Sequence, residues 1–66
     1  MRLKIDRESN ALYLRLDEQE IIASEEVVPG IILDFDKDGQ VVGFEVLEIG
    51  KRTTKEHLGF IQFETA

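Results

Sequence analysis

The sequence predicts a mainly β protein: a small antiparallel β-meander sheet with a short C-terminal helix or turn, in one domain spanning residues 1–66. Three observations carry that reading. Apolar and polar residues alternate at period two around Leu3–Ile5, Leu12–Leu16 and both arms flanking Asp38-Gly39, which is the spacing of a strand with one buried face. Turn formers at Asn10, Pro29-Gly30 and Asp38-Gly39 punctuate those runs. The chain has 66 residues, a length that supports one core and no more.

Leu3 and Ile5 alternate with Arg2, Lys4 and Asp6 and make a first strand. Arg7-Glu8-Ser9-Asn10 is a polar turn. Leu12, Leu14 and Leu16 alternate with Tyr13, Arg15 and Asp17 in a second strand. Setting Ile5 opposite Leu12 also sets Leu3 opposite Leu14, so both apolar sets share a face and the register is fixed. After the acidic connection Asp17-Glu18-Gln19, the stretch Glu20–Val28 mixes β-formers with Ser24-Glu25-Glu26. It reads as an irregular or an edge strand, where charge discourages unwanted pairing. Pro29-Gly30 suits the centre of a type II turn.

The next hairpin is built on Ile31–Asp36 and Val41–Leu47. A two- or four-residue loop around Asp38-Gly39 places Phe35 opposite Val42, Leu33 opposite Phe44 and Ile31 opposite Val46, with Gly39 supplying a positive φ. The other parity would bring Glu45 onto the apolar face. Beyond Gly50, Thr53-Thr54-Lys55-Glu56 fits a capping box with Thr53 as N-cap and Glu56 three residues on. One or two helical turns then reach Leu58 before Gly59. Phe60-Ile61-Gln62-Phe63 reads as a further strand or as a tail that covers the core.

Composition narrows the function classes. No cysteine is present, so neither a disulfide nor a thiolate metal site reinforces the fold, and a reducing cytoplasm is the expected location. The N-terminus Met1–Asp6 lacks the apolar run of a signal peptide, and no stretch reaches transmembrane length. Fourteen acids against eight bases give a net charge of −6, which repels a phosphate backbone and disfavours nucleic acid. A basic protein partner is electrostatically plausible, and maintaining solubility alone accounts for the charge at least as well. Lys51-Arg52-Thr53-Thr54-Lys55 is a local basic exception, read as a solvated loop.

Chemistry-bearing motifs are sparse. His57 is the lone histidine and has no nucleophile or orienting partner in view, so the chain is read as no enzyme. Gly50-Lys51-Arg52-Thr53 lacks P-loop spacing, and Arg52 stands where Ser or Thr must hold magnesium. Asp34–Glu45 has the acids and glycine of a calcium loop, but such a loop needs helices on both sides, and the flanks here read as strands. Strands are expected to hold Glu45 away from Asp34, with Glu45 across from Ile32. Asp34 and Asp36 are expected to lie on the solvent face of the sheet. No catalytic, cofactor-binding or metal-binding residue is assigned, and no cofactor is expected.

The combination Asn10-Ala11-Leu12-Tyr13-Leu14-Arg15-Leu16, Ser24-Glu25-Glu26-Val27, Gly30–Gly39 and Val41-Val42-Gly43-Phe44-Glu45-Val46-Leu47, closed by Lys51-Arg52, resembles domain-of-unknown-function family 2283, a group of short bacterial and archaeal proteins. The resemblance covers roughly Leu3 to Arg52. Phe35 stands where that family often has Tyr, and Asn10 where Asp is common. Family members are sometimes encoded beside small toxin-like proteins, so the resemblance implies an antitoxin-like or other partner-binding role and carries no catalytic residue.

The expected function is therefore a small β-rich protein-interaction module that binds a basic partner. The alternative is an acidic metal- or ligand-binding domain using Asp34, Asp36 and Asp38. A single sheet bearing Leu12, Leu14, Leu33, Phe35, Phe44 and Val46 on one face is further expected to form a homodimer or to be completed by a partner.

Overall fold

Five strands form in the computed structural model, which describes residues Met1–Ala66: β1 (Arg2–Asp6), β2 (Ala11–Arg15), β3 (Ala23–Val28), β4 (Ile31–Phe35) and β5 (Val41–Leu47). A 3₁₀ turn, Ile49–Lys51, and a single helical turn, α1 (Lys55–Leu58), follow. The strands make one antiparallel sheet in the order β1-β2-β5-β4-β3. The meander is thus β3–β4–β5, and the β1–β2 hairpin joins it along β5 through the pairs Ala11–Leu47 to Arg15–Gly43.

Local chemistry explains each turn. At the β1–β2 turn, Asp6 Oδ1 accepts from the amides of Glu8 (3.0 Å) and Ser9 (3.2 Å). Asn10 takes a left-handed conformation, φ 57°, which Asn tolerates better than most residues. Ile5 faces Leu12 and Leu3 faces Leu14, as alternation predicts. Between β3 and β4 only Pro29 and Gly30 intervene, with Gly30 at φ +83°, as a type II turn requires. β3, expected as an irregular or an edge strand, is both: it lies at the edge of the sheet and has a register shift between Glu26 and Val28.

The β4–β5 hairpin keeps Leu33 opposite Phe44 and Ile31 opposite Val46, but Phe35 pairs with Val41 and not with Val42. The loop is the cause. Asp36 Oδ1 accepts from Asp38 N (2.9 Å) and Gln40 N (3.0 Å), while Asp36 N donates to Gln40 O (2.9 Å) and Gly39 N to Asp36 O (3.1 Å). Those bonds enclose three residues, Lys37-Asp38-Gly39, with Gly39 at φ +77°, in the manner of a turn followed by a left-handed residue. An odd loop reverses the parity of the arms. A bulge between Asp34 and Phe35 then restores it, leaving Val42 as the extra residue on β5.

Downstream of the sheet, Ile49 N donates to Asn10 O (3.0 Å) and Gly50 N to Asn10 Oδ1 (2.9 Å), so the β1–β2 turn seats the 3₁₀ turn. Arg52 donates to Pro29 O (3.2 Å), giving the basic stretch a structural contact. The helix cap is Thr54, not Thr53: its side chain accepts from His57 N (3.2 Å). Placing the cap one residue later moves Glu56 to the second helical position, so the expected capping box does not close. Phe60–Phe63 is neither a strand nor a cover for the core. Phe60 is 70% and Phe63 75% exposed, and residues 60–66 form no regular element.

The Asp36 cap yields a stability prediction. Asp36→Ala should cost about 1–2 kcal/mol by urea unfolding, because two loop amides lose a charged acceptor. Asp38→Ala, at an exposed neighbouring position, should stay within about 0.5 kcal/mol.

Candidate functional site

Pairing across all five strands sorts side chains into rows. On one face the rows are Leu3–Leu14–Phe44–Leu33–Glu25 and Ile5–Leu12–Val46–Ile31–Val28. The only charge in either row is Glu25, on the edge strand. The buried apolar residues of the whole protein are Val42, Val46 and Ile49. Leu3 is 44% exposed, and Ile49 and Leu58 share a hollow with Ile5 at one end of the sheet. The 3₁₀ turn and α1 therefore shelter one corner of the apolar face, and no second layer covers the rest.

On the opposite face the rows are Lys4–Tyr13–Glu45–Ile32–Glu26 and Arg2–Arg15–Gly43–Asp34–Ser24. Sequence reasoning assigns Asp34 and Asp36 to solvent here, yet Asp34 is 1% and Asp36 7% exposed. Asp36 is buried by its own turn. Asp34 is buried because Gly43, its cross-strand neighbour, has no side chain: a Cβ built there would lie 2.7 Å from Asp34 Oδ2. The carboxylate occupies the space that any other residue at 43 would fill. Glycine is required at this position for room and not for backbone freedom.

The polar groups around that carboxylate come from three strands. Ser24 Oγ donates to Asp34 Oδ1 (2.6 Å). Oδ2 is buried and receives no N–H or hydroxyl donor. Arg15, beyond Gly43 in the row, makes no bond to Asp34 and donates from Nε to Asp17 O (2.7 Å) and from the terminal nitrogens to Gln19 O and Tyr13 Oη. It thereby ties the connection between β2 and β3 to this face. That connection is held at both ends by Leu16 N to Val42 O (2.8 Å) and Ile22 N to Phe35 O (2.9 Å). The Tyr13 hydroxyl above all, then the charges of Glu18 and Asp34, hold the Arg15 guanidinium protonated to still higher pH than usual.

Glu45 does not stay away from Asp34 as expected. It lies across from Ile32, but residues two apart on a strand share a face, so it is the diagonal neighbour of Asp34 and within reach of it. Burial above all pushes its carboxyl above the ordinary 4.5, and the neighbouring Asp34 carboxylate adds to the shift. The three acids Asp34, Asp36 and Asp38 are not brought together: Asp34 and Asp36 are engaged by Ser24 and by the loop amides respectively, while Asp38 is exposed. No group of three or more His, Cys, Asp and Glu side chains is disposed to hold a metal ion. His57 is exposed. One signal for this site was present in the sequence, an isolated glycine inside the strand Val41–Leu47, since such a residue marks a close approach.

The contact between Gly43 and Asp34 can be measured. Gly43→Ala should destabilise by about 1–3 kcal/mol, the usual cost of overfilling. In an Asp34→Ala background the same change should cost less, because the 2.7 Å clash with Oδ2 is gone. Equal costs in the two backgrounds, by urea unfolding of a double-mutant cycle, would remove Asp34 as the reason for glycine at 43.

No helix is long and apolar enough to cross a membrane. No curated protein and no solved structure matches the chain. Residues 2–49, spanning all five strands, match the profile described as "Protein of unknown function (DUF2283)", and the chain belongs to that family.

Proposed function

We propose that this chain is a protein-interaction module that works by association, first with a second copy of itself through the apolar face and then, as an acidic dimer in the cytoplasm, with a basic protein partner. The observation that carries the reading is the uncovered apolar face. The chain exposes 5252 Å², whereas a compact folded monomer of 7.6 kDa exposes roughly 4,300 Å². The excess, on the order of 900 Å², comes from that face together with the exposed Phe60–Phe63 segment.

A second copy suits this face better than an unrelated protein. Its rows are apolar from β1 to β4, with the one charge at the rim, like a domain core cut in half, which is the character of obligate homodimers. Sheet-on-sheet stacking would bury those rows as a sandwich. Apart from Glu25 at the rim, the charged residues lie outside the rows, so the net charge of −6 would leave the dimer acidic. It supplies the field that draws in a basic partner, in keeping with the antitoxin-like role that the family resemblance implies.

At tens of micromolar the wild type should sediment at twice the chain mass. Phe44→Asp, in the middle of the apolar face, should dissociate or unfold the protein, whereas Glu26→Lys on the other face should leave the mass unchanged. A wild-type monomer would overturn self-association. For the partner, capture from the host extract should retain a basic protein with the wild type and lose it when Glu25 and Glu26 are both changed to Lys. Retention that ignores this reversal would overturn the charge argument.

A further inference from the structure

We propose that Asp34 and Glu45 hold one proton between them, so that the buried centre of the polar face is a proton-binding site that links the stability of the sheet to pH. The inference is independent of the proposed association, which uses the other face. It starts from an unmet requirement. Asp34 is 1% exposed, and its Oδ2 is out of contact with water and has no donor. A buried acceptor left unpaired costs about 1–3 kcal/mol, and more when charged. A folded protein therefore leaves very few of them.

The surrounding groups leave one candidate donor. From β3, Ser24 is already committed to Oδ1, and Glu26 lies opposite Ile32 in the adjoining row. From β2, the guanidinium of Arg15 is engaged by Asp17 O, Gln19 O and Tyr13, and Tyr13 stands opposite Glu45. From β1, Lys4 faces Tyr13 and Arg2 faces Arg15, each a strand further away; Arg2 is paired with Glu18 (3.6 Å). From β5, Gly43 offers no side chain. Glu45 alone remains on the same face, diagonal to Asp34.

Two carboxylates only accept hydrogen bonds. An Asp34–Glu45 hydrogen bond therefore needs one of them to keep its proton. Glu45, half-buried and beside the Asp34 charge, keeps it more readily than an ordinary glutamate, for the same reasons that raise its pKa. The proton then satisfies Oδ2 and removes the repulsion of two anions in a low-dielectric recess. Its loss at higher pH restores both penalties.

The direction of the linkage follows. The folded value for Glu45 lies above its unfolded value, so the native state binds more protons between the two. The stabilisation from Glu45 is complete below the unfolded value, 4.5, and is lost as pH rises through the folded one. That is opposite to Asp6, whose carboxyl is held below 3.8, mainly by the Ser9 amide, and whose contribution disappears as pH falls.

The test is a carboxyl-carbon NMR titration of the wild-type protein. Glu45 should titrate at higher pH than the exposed Glu25 and Glu26. Asp34→Asn should lower its midpoint, since the neighbouring charge is gone. Glu45→Gln supplies a permanent amide donor and should raise the urea midpoint over the wild type at neutral pH, with the advantage shrinking in acid. A Glu45 that titrates with the exposed glutamates, or a Glu45→Gln effect that is the same at both pH values, would overturn the proposal. So would a Glu45 midpoint that falls when millimolar calcium is added, which would make the pair a cation seat.

Discussion

Backbone pairing between β2 and β5 makes one sheet out of two units, and every other feature of the molecule depends on its register. Alone, the β1–β2 hairpin would be marginal in water, as isolated hairpins are. Joined along β5, it sets Leu12 beside Val46 and Leu14 beside Phe44, so the apolar rows run unbroken from β1 to β4. The same ladder aligns Tyr13 with Glu45 and Arg15 with Gly43. A slip of one residue would put Arg15 and Tyr13 among the leucines.

Burial on the polar face is a consequence of that alignment. Gly43 stands between Arg15 and Asp34 in one row, and its missing side chain admits the Asp34 carboxylate beneath its neighbours. An acid in such a place is costly unless it is hydrogen-bonded, and Ser24 meets half of the need. The other half falls to a diagonal neighbour, itself an acid. The polar face is therefore no mere solvated surface. It contains the most buried side chain of the protein, and it ties the long β2–β3 connection to the sheet through Arg15.

How much of this the sequence discloses depends on whether the cause is local. Pairings set by parity are legible: Ile5 with Leu12, Leu33 with Phe44 and Ile31 with Val46 follow from alternation and a turn between the arms. Phe35 with Val41 does not follow, because the loop length was decided by the Asp36 carboxylate, and its parity was repaired by a bulge. The cap at Thr54 was displaced by one residue, as happens when two threonines compete for the same role. The adjacency of β2 and β5 is remote from any turn signal. The burial of Asp34 combines a glycine nine residues away, a serine ten residues back and a diagonal glutamate, and no single window of sequence contains that arrangement as a pattern. Membership of the family was legible because it rests on the strand and turn residues themselves.

The two faces differ in a way that divides the work between them. The apolar face has area but, apart from Glu25 at its rim, no charge with which to choose a basic protein. The rest of the surface has charge, and its largest exposed apolar side chains are in the C-terminal tail, where Phe60 and Phe63 stand exposed. Affinity needs buried area, and charge contributes more to steering and choice of partner. A chain this short, with three buried apolar residues, is poorly placed to supply both from one surface. Stacking two copies through the apolar face would stabilise each sheet and leave the acids of both copies outward. Selection of a partner would then fall to groups that the fold itself does not need for packing, such as Glu25 and Glu26 on the edge strand, and not to Asp34 and Glu45, which are occupied with each other.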